Sequence, residues 1–102
     1  MHASIWQFTG DPDELVRRYD DMLADIPPAS MRLHLCLRTP EGIVIVDTCP
    51  SREEFEQFAT GPFPALRNRH GIPEPEDVQD GPVYAAFVNG NRGPEPRSAP
   101  TS

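Results

Sequence analysis

The segment "MRLHLCLRTPEGIVIVDTC", Met31 to Cys49, constrains the fold more than any other part of the chain. Leu33, Leu35 and Leu37 alternate with Arg32, His34, Cys36 and Arg38, and "GIVIVDTC" follows after a short break. Alternation with period two marks a strand that buries one face. The break, "TPEG", has Pro at its second position and Gly at its fourth, which suits a type I turn. The two runs therefore form a hairpin, and placing Arg38 opposite Ile43 fixes its register. Leu37 then opposes Val44, Leu35 opposes Val46 and Leu33 opposes Thr48 on one face. On the other, Cys36 opposes Ile45, His34 opposes Asp47 and Arg32 opposes Cys49. A carboxylate under helices is costly unless paired. The leucine face is accordingly expected beneath the helices, and the ionisable face is expected to be open.

The flanking segments supply those helices. "HASIWQFT", residues 2–9, has the β-branched and aromatic content of a strand. Asp11, Pro12 and Glu14 then mark a helix start with a capping box. Leu15, Val16, Tyr19, Met22, Leu23 and Ile26 recur as one apolar stripe before Pro27 and Pro28 end it. Ser51 and Glu54 open a second helix whose apolar face is Phe55, Phe58 and Ala59. It breaks at "TGPFP" and resumes until Gly71. "IPEPEDVQD" is read as loop and "GPVYAAFV", residues 81–88, as the fourth strand. Residues 1–89 form one domain; 90–102 are expected to be a disordered tail, because they hold no apolar residue larger than proline.

The element order is β-α-β-β-α-β, an α+β, ferredoxin-like arrangement with a four-stranded antiparallel sheet and both helices on one face. With "GDPDEL" and "RYD" after the first strand and "HGIPEPE" before the last, residues 2–89 resemble the dimeric α+β barrel superfamily. The likeness is to small stand-alone actinobacterial members related to antibiotic-biosynthesis monooxygenases. The Arg, Ala, Pro, Asp and Gly bias also suits a high-GC genome. The resemblance implies pairing of two copies through their open sheet faces. It also implies a choice among cofactor-free monooxygenases, polyketide cyclases, isomerases, haem-degrading enzymes and ligand-binding regulators.

Charge and composition narrow the chemistry. A net charge of −7 argues against nucleic acid and anionic membranes. Every one of the nine Lys/Arg positions is arginine, which excludes a lysine Schiff base, pyridoxal phosphate and a P-loop. "MHASIWQF" shows no signal-peptide pattern and no apolar run is long enough to span a bilayer, so a cytoplasmic location is expected. The two cysteines lack CxxC spacing and are expected as free thiols. His2, His34 and His70 are too scattered for a metal site.

The candidate catalytic pair is His34 and Asp47: a carboxylate beside an imidazole fixes its tautomer and supports general-base work. Arg32 and Arg38 are candidates to hold an enolate or carboxylate, and Cys36, Gln7 and Tyr84 to line the cavity. The expected substrate is a small aromatic or polyketide-like molecule, processed without a cofactor in the space a homodimer encloses. Three alternatives stand beside this. The His34–Asp47 pair is equally readable as an ordinary cross-strand stabiliser. The chain is also readable as a non-catalytic ligand-binding or dimerising module. Haem-degrading members of the superfamily use a histidine on the helix corresponding to that of His70, although a histidine in a last helical turn also acts as a cap.

Overall fold

A computed structural model describes residues 1–27 and 32–92. Strands β1 (His2–Thr9), β2 (His34–Thr39), β3 (Gly42–Cys49) and β4 (Asp77–Pro82) form one antiparallel sheet in the order β2-β3-β1-β4. Helices α1 (Pro12–Leu23), α2 (Arg52–Thr60) and α3 (Pro62–His70) complete an α+β fold compatible with the ferredoxin-like arrangement. A small hairpin, β5 (Phe87–Val88) and β6 (Asn91–Arg92), follows the sheet.

The hairpin register is the one read from the turn. Arg38 pairs with Ile43, Leu37 with Val44, Cys36 with Ile45, Leu35 with Val46 and His34 with Asp47. The faces are reversed. Trp6 and Phe8 of β1 stand beside Ile45 and Ile43 of β3, and these four are buried against Leu15, Tyr19 and Met22 of α1, Phe63 of α3, and Ile72. Cys36 packs partly buried against this core. Leu33, Leu35, Leu37 and Ile5 point to the uncovered side and are 45–51% exposed. Strand alternation pins who pairs with whom, but two apolar faces compete for the helices. The face carrying two large aromatics wins, since Phe and Trp bury the most area. Asp47 is tolerated beneath the helices because His34 pairs with it and it keeps 30% exposure.

The helix starts are locally encoded. Asp11 caps α1 by accepting from the Asp13 amide at 3.3 Å, and Pro12 occupies the first turn. Glu14 does not close the expected capping box. Its carboxylate turns to Arg17 and to Arg18, 2.8 Å away, because charge-assisted bonds are stronger than a bond to a neutral amide. Ser51 caps α2 through the Glu54 amide at 3.2 Å. Gly61 separates α2 from α3, and Gly71 closes α3 in a left-handed conformation, φ 71°.

The fourth sheet strand is "DVQDGP": Asp77–Asp80 are expected as loop, and of the expected strand "GPVYAAFV" only Gly81 and Pro82 belong to it. It is an edge strand with almost no apolar content, attached by its backbone to β1 and by His2, whose buried ring meets Asp80 at 2.7 Å. The apolar run after it leaves the sheet. Tyr84 is 93% exposed, and Arg92 lies over the Tyr84 and Phe87 rings at 5.8 Å each. Asn89 and Gly90 have φ of 52° and 79°, the positive values that a two-residue hairpin turn needs. Asn91 and Arg92, assigned to the tail, are thus the return strand of this hairpin. Residues 93–102 of the expected tail lie outside the described residues. No helix among the described residues is long and apolar enough to cross a membrane.

Candidate functional site

Between the sheet and the helices lies a cavity of about 320 Å³. Its walls are mostly apolar: Trp6 and Ile45 from the sheet, Met22 and Ile26 from α1 and the turn after it, and Phe55, Phe58 and Phe63 from α2 and α3. The aromatic wall is a connected set. Trp6 meets Phe63 edge-on at 4.9 Å and Phe55 at 5.8 Å, and Phe58 stacks on Phe63 at 5.2 Å. Such pairs each contribute about 0.5–1.5 kcal/mol beyond burial. The polar part of the lining is Ser4, Arg32, His34, Asp47, Thr48, Cys49 and Glu54. An apolar enclosure with a few convergent polar groups is the usual form of a small-molecule site.

His34 is held on two sides. Its Nδ1 lies 3.2 Å from Asp47 Oδ1, and its Nε2 lies 2.6 Å from the Tyr19 hydroxyl. The Tyr19 and His34 rings are nearly parallel, 9° apart. Burial, followed by the nearby Cys36, Asp20 and Asp47, pushes the Tyr19 hydroxyl up to about 12, so it stays a neutral phenol across the physiological range. An ionised carboxylate only accepts. Asp47 therefore receives the Nδ1–H, and Tyr19 donates to Nε2. The second Asp47 oxygen has no donor among the described residues. It is the free basic atom of the line.

Sequence reasoning found His34 and Asp47 as neighbours but placed them on the uncovered face, inside a space between two copies. They instead stand in the wall of a cavity within one chain. Arg32 also lines that cavity and makes no hydrogen bond or ion pair among the described residues. The other candidates are elsewhere. Arg38 reaches the start of α1, where its Nε donates to Asp13 at 3.2 Å. Cys36 is partly buried beside the core, and burial raises its thiol, against a nucleophilic role. Gln7 is on the uncovered face, its carbonyl accepting from the Glu76 amide. Tyr84 is exposed in the segment between β4 and β5 and is not in the cavity wall.

Tyr19 escaped the sequence reading because it sits on the apolar stripe of α1, where an aromatic residue signals core and nothing local points to a histidine on another element. Ser4 and the aromatic wall were likewise missed.

His70 is in the last turn of α3 with its Nε2 2.7 Å from Asp25 Oδ2, and Arg69 reaches the same carboxylate. These two partners, His70 first, hold the Asp25 carboxyl below the ordinary carboxylate value. The histidine ties α3 to the end of α1 and lies outside the cavity wall. Among the described residues no three His, Cys, Asp or Glu side chains gather as metal ligands. Comparison with family models, with curated proteins and with solved structures found no match to the chain.

Proposed function

We propose that the chain is a small enzyme that takes a proton from an enolisable or phenolic aromatic or polyketide-like molecule without a cofactor, as in a monooxygenase, cyclase or isomerase reaction. The observation that carries this reading is the Tyr19–His34–Asp47 line standing in the wall of an aromatic-lined cavity. The His34–Asp47 pair acts as the base. The free Asp47 oxygen receives the proton, His34 holds that carboxylate in place through Nδ1–H, and Tyr19 locks the ring orientation. Arg32, also in the cavity lining, supplies positive charge that favours a developing oxyanion.

The test is deuterium uptake at the acidic C–H of 1-phenyl-1,3-butanedione in D₂O. Wild-type protein is expected to accelerate it, with His34→Gln and Asp47→Asn each slower by about 10²-fold, the usual size of a positioned base. Equal rates with wild type and both variants would remove the catalytic reading.

A second reading has its own support. Ile5, Leu33, Leu35 and Leu37 make an apolar patch on the uncovered sheet face, and such patches mark interaction surfaces. This supports pairing of two copies through the sheet, as in the dimeric α+β barrel superfamily, or a role as a partner-binding module. Sedimentation equilibrium is expected to give a dimer that Leu35→Glu converts to monomer. A monomeric wild type would contradict the pairing.

A further inference from the structure

Ser4 is a buried polar residue on the covered face of β1, and its bond to Trp6 uses only part of its hydrogen-bonding capacity. It lies in β1 between two buried positions, is only 5% exposed, and lines the cavity. Its Oγ accepts from the Trp6 indole Nε1–H at 2.8 Å. The hydroxyl proton finds no acceptor among the described residues. A buried hydroxyl with an unused donor is costly unless something else receives it.

What surrounds it identifies the recipient. In the β1–β3 register Ser4 stands opposite Asp47, and both residues line the cavity, so a hydroxyl donor and a carboxylate serve the same space. The indole N–H bonded to Oγ polarises the hydroxyl and makes it a better donor. A donor beside a base complements a carbonyl group beside an acidic C–H, or a phenol whose oxygen takes the developing charge.

We infer that Ser4 is a further catalytic residue, whose hydroxyl donates to the carbonyl oxygen of an enolisable aryl ketone while Asp47 faces the adjacent C–H. This rests on the cavity reading above and adds the orientation of the substrate. In the step, the C–H bond breaks and its proton forms a bond to the free Asp47 oxygen. The electron pair moves to the carbonyl oxygen, which becomes an enolate held by the Ser4 O–H. Asp47 then loses this proton to solvent, takes a deuteron in its place and delivers it to carbon as the enolate returns to the ketone, which completes the exchange with no oxidant or reductant. The Trp6 N–H bond to Ser4 is retained throughout and acts on the substrate only through that hydroxyl.

The test uses the full chain and acetophenone labelled with ¹³C at its carbonyl. The single Trp6 indole N–H signal reports binding, and isotope-edited infrared spectroscopy reports the carbonyl stretch. The expected result is binding to wild type with the stretch moved to lower wavenumber than in an apolar solvent. In Ser4→Ala the indole signal still responds to the ketone but the stretch returns to its apolar-solvent value. Deuterium uptake by 1-phenyl-1,3-butanedione in Ser4→Ala is expected to lose about 10²-fold in kcat, the size seen when one oxyanion donor is removed, with KM within a few-fold. Ser4→Thr, which restores a hydroxyl, is expected to recover most of the loss. Binding with a stretch that does not depend on Ser4 overturns the inference and leaves the cavity reading intact. If acetophenone and the diketone both leave the indole signal unmoved, the cavity reading fails and this inference with it.

Discussion

Gly42→Ala is expected to destabilise the protein by about 3 kcal/mol or more, a large part of the roughly 5–15 kcal/mol that holds a domain together. Gly42 is the first residue of β3 and pairs with Thr39 on one side and Thr9 on the other. A Cβ there would lie 2.0 Å from the Phe8 carbonyl oxygen and 3.1 Å from Thr9 Cα. Both obstacles are backbone, so no side chain can turn away to make room. Relief requires β1 and β3 to part at the position next to Phe8 and Ile43, the two most buried large side chains. The ladder, the turn bond from the Gly42 amide to Thr39 Oγ1, and the core edge are then disturbed together. Urea unfolding measures this directly. A variant within about 0.5 kcal/mol of wild type, the range of an ordinary surface substitution, would mean that β1 and β3 are not packed in this register.

Phe63→Ala should cost about 3–5 kcal/mol, the range for a buried aromatic truncated to alanine. Phe63 is 5% exposed and sits at the first turn of α3, just after the Gly61 break. Its ring meets Trp6, Phe8 and Phe58, and the Arg67 guanidinium lies 5.9 Å from its centroid. One truncation therefore removes the piece that joins α3 to both the sheet and α2. Phe63→Leu keeps most of the volume and should cost less, about 1.5 kcal/mol or below. Because Phe63 is also cavity wall, the alanine variant should bind aromatic probes more weakly even where it remains folded. The contrary outcome is an alanine variant as stable as the leucine one.

These two positions show what the sequence carries and where it stops. The "TPEG" turn and the alternation around it contain the register, because a one-residue slip reverses every side chain. They do not contain the side on which the helices lie. That is decided by β1, where Trp6 and Phe8 outweigh the leucines of β2 for burial. Reading β1 against β3 first would have paired Trp6 with Ile45 and Phe8 with Ile43, and pointed to the correct side. β4 left little trace because an edge strand is held by backbone bonds and by His2–Asp80, not by an apolar pattern. In the site, His34 and Asp47 were legible as cross-strand neighbours. Tyr19 and Ser4 were not, since each reaches its place by tertiary packing from an element whose local pattern says only core.

The most direct examination of the site is the long-range ¹H–¹⁵N spectrum of His34 in the full chain at neutral pH. The Tyr19–His34–Asp47 line requires the Nδ1–H form, with Nε2 accepting, and a clear change at Nε2 in Tyr19→Phe. A ring in the Nε2–H form, or one whose shifts ignore the loss of the Tyr19 hydroxyl, would contradict the line and the proton chemistry proposed from it.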